Sequence, residues 1–220
     1  MRVNADFSIR AVSAASEDQW IASPQAGVER HMLDRIGEEV ARATSIVRYA
    51  PRSSFSRHMH DEGEEFLVLE GIFSDEHADY PRGTYVRNPP GTGHSPFSDF
   101  GCRILVKLRQ FDAADLQPVV IDTTDEAGWS PDSHTGVENK PLYEFGNEQV
   151  SMLRFGKGQE ITFDVGEGGL EWLLVRGSLS FENADYQDES WFRFAAGDKF
   201  SMQATDDCLV WQKTGHLPPT

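Results

Sequence analysis

An internal duplication constrains this chain more than any other feature of its sequence. Gly71 and Gly177 stand 106 residues apart, and that offset runs without a gap across a long stretch. It pairs VRYA (47–50) with LRFG (153–156), and EFLVLEGIFS (65–74) with EWLLVRGSLS (171–180). EHADY (76–80) meets ENADY (182–186), and CRILVK (102–107) meets CLVWQK (208–213). Upstream, Trp20 and Gly27-Val28-Glu29 return as Trp129 and Gly136-Val137-Glu138, at an offset of 109. A small length difference before the core strands accounts for the change of offset. Two copies of one small domain are therefore expected. The polar, Pro-containing stretch FDAADLQPVV (111–120) reads as the linker, which divides the chain into 1–114 and 115–220.

Each copy is built from short apolar runs bounded by Gly, Pro, Asn and Asp. TSIVRYA, EEFLVLEGIF, GTYVRN and CRILVKLRQF have strand length and are rich in β-branched or aromatic residues. Only GVERHMLDRIGEEVARA (27–43) has a helix-like pattern, and its Gly37 and many charges work against that reading. Short strands at this spacing predict an all-β sandwich or barrel.

Charge and cysteine usage narrow the partners. The chain carries 36 acidic against 20 basic residues, a formal net charge of −16. Nucleic acid and anionic membrane both need a basic face, so neither is expected. No run approaches the roughly 20 apolar residues of a membrane span. Charges interrupt MRVNADFSIRAVSAASEDQW where a signal peptide needs an apolar core. The two cysteines, Cys102 and Cys208, occupy equivalent positions and form no CxxC. A cytoplasmic protein with two buried thiols is the expectation.

The chemistry concentrates in RHMHDEGEEFLVLEG (57–71). Residues i and i+2 of a strand point to one face, so His58 and His60 would project two imidazoles into one space. A carboxylate after the following turn and a histidine from a distant strand could complete a four-ligand set for a divalent transition metal. The distant candidate is His94, where Pro89, Pro90, Gly91 and Gly93 form a rigid turn. Phe66 and Tyr85 hold strand positions that could line a pocket, and core packing accounts for them equally well. His77, which becomes Asn183 in the second copy, reads as a surface-loop residue. Tyr80, repeated as Tyr186, reads as a packing residue.

These residues resemble the cupin superfamily. Its first motif, G-x5-HxH-x3,4-E-x6-G, is met from His58 through His60 and Glu64 to Gly71, with Arg52 in place of the leading glycine. Its second, G-x5-PxG-x2-H-x3-N, is met from Gly83 through Pro89, Gly91 and His94, with Ser98 in place of the final asparagine. That asparagine is not a ligand in the family, so the departure touches loop structure more than metal binding. The resemblance implies two tandem double-stranded β-helix (jelly-roll) barrels, with a metal in the mouth of the first. GEEFLVLEGIFSDEHADYPRGTYVRNPPGTGHSPFS is similar, more closely, to the cupin half of ChrR-type anti-sigma factors. In those proteins a zinc-binding helical domain with a His and a CxxC grips the sigma factor. The present sequence has no such segment, so sigma-factor binding is not expected.

The repeat itself separates Glu64 from Glu65. In the second copy His58, His60, Glu64 and His94 become Asp164, Gly166, Leu170 and Phe200, whereas Glu65 persists as Glu171. A residue kept where the proposed ligands are lost reads as structural, with a basic side chain as its expected partner. The second barrel is therefore expected to be metal-free, with Leu170 and Phe200 as an apolar plug. One divalent transition metal is expected, zinc in the purified protein, with iron or manganese as the alternatives. The expected function is that of a stand-alone metal-binding sensor or small-molecule-binding protein of the ChrR-like kind. The alternative is an Fe(II)-dependent dioxygenase cleaving a small diketone or hydroxyketone. A homodimer is compatible with either.

Overall fold

The computed structural model describes residues 1–15, 20–132 and 136–218. Its regular structure is β throughout, and among the described residues no helix is long and apolar enough to cross a membrane. The chain divides into two compact units, Met1–Ala5 with Gln19–Asp125, and Asp6–Asp18 with Glu126–Thr220.

In the first unit the main sheet runs through strands Val28–Gly37, Ala41–Tyr49, Cys102–Leu108, Glu64–Ser74, Thr84–Asn88 and Val119–Asp122. In the second it runs through Glu138–Phe145, Glu148–Phe155, Cys208–Thr214, Leu170–Arg176, Trp191–Phe194 and Ala11–Ser13. The shared order, with sequence-distant strands as neighbours, is the crossing pattern of a jelly roll. Even the irregularities repeat. Register shifts fall at Leu33 and Leu69 in the first unit and at Leu142 and Val175 in the second. A bulge adds one residue to one strand and sharpens its bend, so its recurrence reproduces the same curvature. Gly71 and Gly177, the anchors of the sequence offset, sit at φ 72° and 107°. A Cβ at Gly71 would lie 2.1 Å from the Gly101 carbonyl oxygen, and one at Gly177 would lie 2.4 Å from that of Asp207. No side chain fits either place.

Two expectations need correction. Residues 27–43 are a β-hairpin, with the chain reversing after Gly37 at φ 122°. The bulge at Leu33 breaks the in–out alternation of the first strand, so Val28, His31, Leu33, Asp34 and Arg35 are buried at a spacing that imitates a helix. The division also falls later than residue 114. Buried Asp115 accepts a 2.6 Å hydrogen bond from Arg87, and Val119–Asp122 pairs with Thr84–Asn88. The corresponding place in the second unit, beside Trp191–Phe194, is taken by Ala11–Ser13. Each sheet thus acquires an edge strand from outside its repeat, covering ladder groups that would otherwise face solvent.

The interiors differ. In the second unit Leu170, Trp172, Phe181, Phe192, Phe194 and Phe200 form one buried cluster. Phe200 lies 3.9 Å from Phe194 and 5.3 Å from Trp172 between ring centroids, so aromatic rings fill this barrel. Strand register also refines the repeat. Phe200 lies opposite Phe163, as His94 lies opposite His58, so Phe163 rather than Asp164 takes the place of His58. Asp164 turns outward to an ion pair with Lys199, 2.9 Å long. Both cysteines are free and buried, and burial pushes each thiol up to about 11.

Candidate metal centre

Short strands deliver the four proposed ligands. His58–His60 pairs antiparallel with Thr92–His94, which sets His58 directly opposite His94. His60 shares a face with His58, and their ring centroids are 5.1 Å apart. Glu64 opens the long strand that follows the turn after His60. One ligand atom from each of His58, His60, Glu64 and His94 lies within 4.8 Å of the others. Glu64 Oε2 is 3.4 Å from both His60 Nε2 and His94 Nε2. Two donors each about 2.1 Å from one ion are separated by about this distance, so the spacing suits a shared metal.

Hydrogen bonds on the far side of each ring fix its tautomer. His58 Nδ1 is 3.0 Å from the Ser56 carbonyl, which can only accept. His60 Nδ1 is 3.0 Å from Thr92 Oγ1, whose own proton goes to the Pro89 carbonyl at 2.7 Å. His94 Nδ1 is 3.0 Å from Asp75 Oδ2. Each Nδ1 therefore donates, and Nε2 of His60 and of His94 turns a lone pair towards Glu64. Nε2 of His60 and of His94 is buried with no hydrogen-bond partner among the described residues. Buried polar atoms are normally satisfied, and a divalent metal supplies the missing acceptor of electron density for both. Burial lowers the His60 pKa below its ordinary value, a shift that the Glu64 carboxylate partly opposes. The neutral, metal-binding imidazole is favoured as a result.

The partners that orient the ligands went unseen in the sequence. Asp75 is the chief one. Its Oδ1 accepts the backbone N–H groups of His77 (2.8 Å) and Ala78 (3.1 Å), leaving Oδ2 for His94. Tyr80, read as a packing residue, also turns its hydroxyl to this carboxylate at 3.3 Å. Asn88 donates to Glu64 Oε2 at 3.1 Å. The repeat held a signal for them, because Asp75 and Asn88 become Phe181 and Phe194 at the same offset of 106. Glu65 is held apart from the cluster. It accepts a 2.8 Å bond from Arg87, which also grips Asp115, in a buried ion pair. Its counterpart Glu171 accepts from Trp191 Nε1 at 2.7 Å and faces His216 Nε2 at 2.9 Å.

A cavity of about 310 Å³ opens beside the ligands, bordered by His58, His60 and Glu64. Val28, Val47, Tyr49, Ile104 and Val106 form apolar walls, and the exposed Val40 and Met59 also border it. Phe66 and Tyr85 do not. Phe66 is packed into the core against Phe73 and Tyr80, at 4.9 and 5.6 Å between ring centroids. Tyr85 pairs with Leu67 and so lies on the sheet face opposite to Glu64 and Phe66. His77 is exposed, as a loop residue should be.

The arrangement has relatives. Residues 9–112 match the family model for the ChrR cupin-like domain. No curated protein matches the chain in sequence. Among solved structures, it is similar to a Nostoc punctiforme protein assigned provisionally as a dioxygenase, with TM-score 0.73 and 13% identity over 97% of this chain and 81% of that one. It is also similar to the Escherichia coli pirin YhhW in complex with nickel(II), with TM-score 0.69 and 14% identity over 96% and 100% of the two chains. A third likeness is to a cupin 2 conserved barrel domain protein from Leptotrichia buccalis, with TM-score 0.58 and 11% identity over 88% and 91%. At such identities these likenesses speak for the fold alone. Repeat, motifs, strand order and family match together give the chain the cupin fold, as a protein of two tandem barrels that resembles the ChrR cupin domain over residues 9–112.

Proposed function

We propose that the first barrel holds one divalent transition metal through His58, His60, Glu64 and His94 and presents it to a small molecule entering the adjoining cavity. The observation that carries this reading is the convergence of three oriented imidazoles and one carboxylate at the edge of a cavity of about 310 Å³. Such an ion would supply a Lewis-acid centre carrying one residual positive charge, and with Fe(II) a redox-active one. The protein's own part is to fix the ligands from behind through Ser56, Thr92 and Asp75, and to keep the approach apolar. These residues serve a ligand-responsive binding protein as well as an enzyme, and we take metal-dependent small-molecule binding as the primary function.

A second reading is favoured by the largely apolar walls beside the ligands. A metal with free positions beneath an apolar cavity suits oxidative cleavage of a small diketone or hydroxyketone, because the walls exclude water from the reacting atoms. The dioxygenase assignment of the Nostoc punctiforme neighbour is in keeping with it. Elemental analysis tests the primary reading: the purified chain should carry one metal, and His94→Ala should lose most of it. Full metal retention in His94→Ala would reject the ligand set. Oxygen uptake by the iron-loaded chain with small diketones separates the two readings. Uptake that vanishes with His58→Ala supports an enzyme, and its absence across the panel leaves the binding function standing.

A further inference from the structure

The cavity contains one feature that metal binding leaves unused. Val28 and Arg30 lie on the same face of their strand, opposite Tyr49 and Val47 of the next, and all four border the cavity. Arg30 thus places a guanidinium in a wall that is otherwise largely apolar. Its Nε is buried and meets no hydrogen-bond acceptor among the described residues. Its Nη2 stands 3.6 Å from Glu39, beyond hydrogen-bonding distance, and the Glu39 side chain is 72% exposed. The other arginine at the cavity, Arg109, is engaged by Glu62 at 2.5 Å and Asp61 at 3.1 Å. Glu64 is turned to the imidazoles. Among the described residues Arg30 is therefore the cavity arginine without a close carboxylate, its Nε unused and its one ion pair, to Glu39, a long one.

A buried guanidinium N–H without an acceptor is costly, and an anion that accepts from it removes the penalty. Carboxylate is the anion whose geometry matches the guanidinium fork. The second unit supports a role tied to the open cavity. There the position opposite Leu153, equivalent to that of Arg30 opposite Val47, is the neutral Asn139, and aromatic rings fill the interior. Where the space is lost, so is the charge.

We infer that Arg30 is the specificity residue of the cavity, and that the natural ligand is a small carboxylic acid with an apolar body whose carboxylate pairs with Arg30. The inference rests on the proposed role of the cavity beside the metal centre, and it names the chemical class of the ligand. A cavity of about 310 Å³ lies at the lower end of small-molecule sites, which suits a compact monoacid rather than a peptide or a nucleotide.

Phenylacetate and 2-phenylethanol differ in charge and little in size, and form the probe pair. Calorimetric or NMR titration of the full chain, zinc-loaded and metal-stripped, should show phenylacetate binding at least about tenfold more tightly in both forms. Arg30→Gln should bring the ratio near unity, and Arg30→Lys should retain part of it. Circular dichroism and metal content check that each variant is folded. Equal binding of the pair by wild type, no binding of phenylacetate at millimolar concentration, or a preference that survives in Arg30→Gln would each overturn the inference. A preference that survives in Arg30→Gln only with zinc present would send the carboxylate to the metal, rejecting Arg30 while sustaining the metal centre. Loss of the metal reading has its own signature: no zinc is taken up, while the metal-stripped chain still prefers phenylacetate through Arg30.

Discussion

Asp75 does more for the proposed centre than its position in the sequence suggests. One of its oxygens ties down its own loop and the other receives His94 Nδ1, so a single carboxylate couples loop shape to ligand orientation. Partners of this kind raise ligand basicity and hold the ring, and their loss commonly costs about 10–100-fold in metal affinity. Asp75→Ala should weaken zinc binding by that factor in competition with a chelator, with Asp75→Asn falling between it and wild type. An Asp75→Ala affinity within about threefold of wild type would mean that packing alone orients His94. His60 gives a pH signature. Burial lowers its folded pKa below the ordinary 6.5, so below pH 6.5 the unfolded chain takes up the proton that the folded chain resists. Stability of the metal-stripped protein should therefore be fully present above that pH and decline as the pH falls through 6.5 towards the folded value. Melting temperatures across that window would show it, and His60→Gln should flatten the slope.

At the level of elements, the two departures from the cupin motifs turn out to be joined. Arg52, where the motif has glycine, adopts φ 61°, the left-handed conformation that glycine enters without strain. Its backbone N–H donates to the carbonyl of Ser98, the other departure, at 2.8 Å. Ser98 is fully buried and its hydroxyl donates to the Ile72 carbonyl at 2.6 Å, so the pair closes the loop by its own means. Restoring the motif residue should relieve strain: Arg52→Gly removes about 1–2 kcal/mol of backbone cost, against about 0.4–1 kcal/mol of added freedom in the unfolded chain. A modest rise in melting temperature with unchanged metal content is expected, and a fall would mean that the Arg52 side chain stabilises the loop. Elements also differ in how far their sequence betrays them. Strands such as Glu64–Ser74 and Cys102–Leu108 are legible because their apolar runs are bounded by turn residues. The hairpin at Val28–Gly37 is not, because its bulge scrambles the period on which such a reading depends.

For the whole molecule, the duplication makes both the two-barrel plan and the difference between the barrels legible in the residues themselves. It pairs His60, Glu64 and His94 with Gly166, Leu170 and Phe200, which cannot replace them, and it leaves Glu65 on the structural side, where its bond to Arg87 places it. The exchange of edge strands is hidden, since Ala11–Ser13 and Val119–Asp122 are too short to carry a pattern and have no counterpart in the repeat. Their partners lie far away in sequence, and only the closed sheets reveal them. The contrast between interiors leads to the last expectation. In the second unit Leu170 is 2% and Phe200 5% exposed, Phe163 stacks on Phe200, and the rings leave no cluster of donors among the described residues. The chain should therefore saturate at one metal, and His58→Ala with His94→Ala should abolish binding altogether instead of halving it. Leu170→Glu should not create a second site. It would bury a carboxylate among aromatic rings, at a cost of several kcal/mol, and the melting temperature should fall sharply with no gain in metal. A second equivalent in the wild type, or residual stoichiometric binding in the double variant, would show that the filled barrel opens to admit an ion.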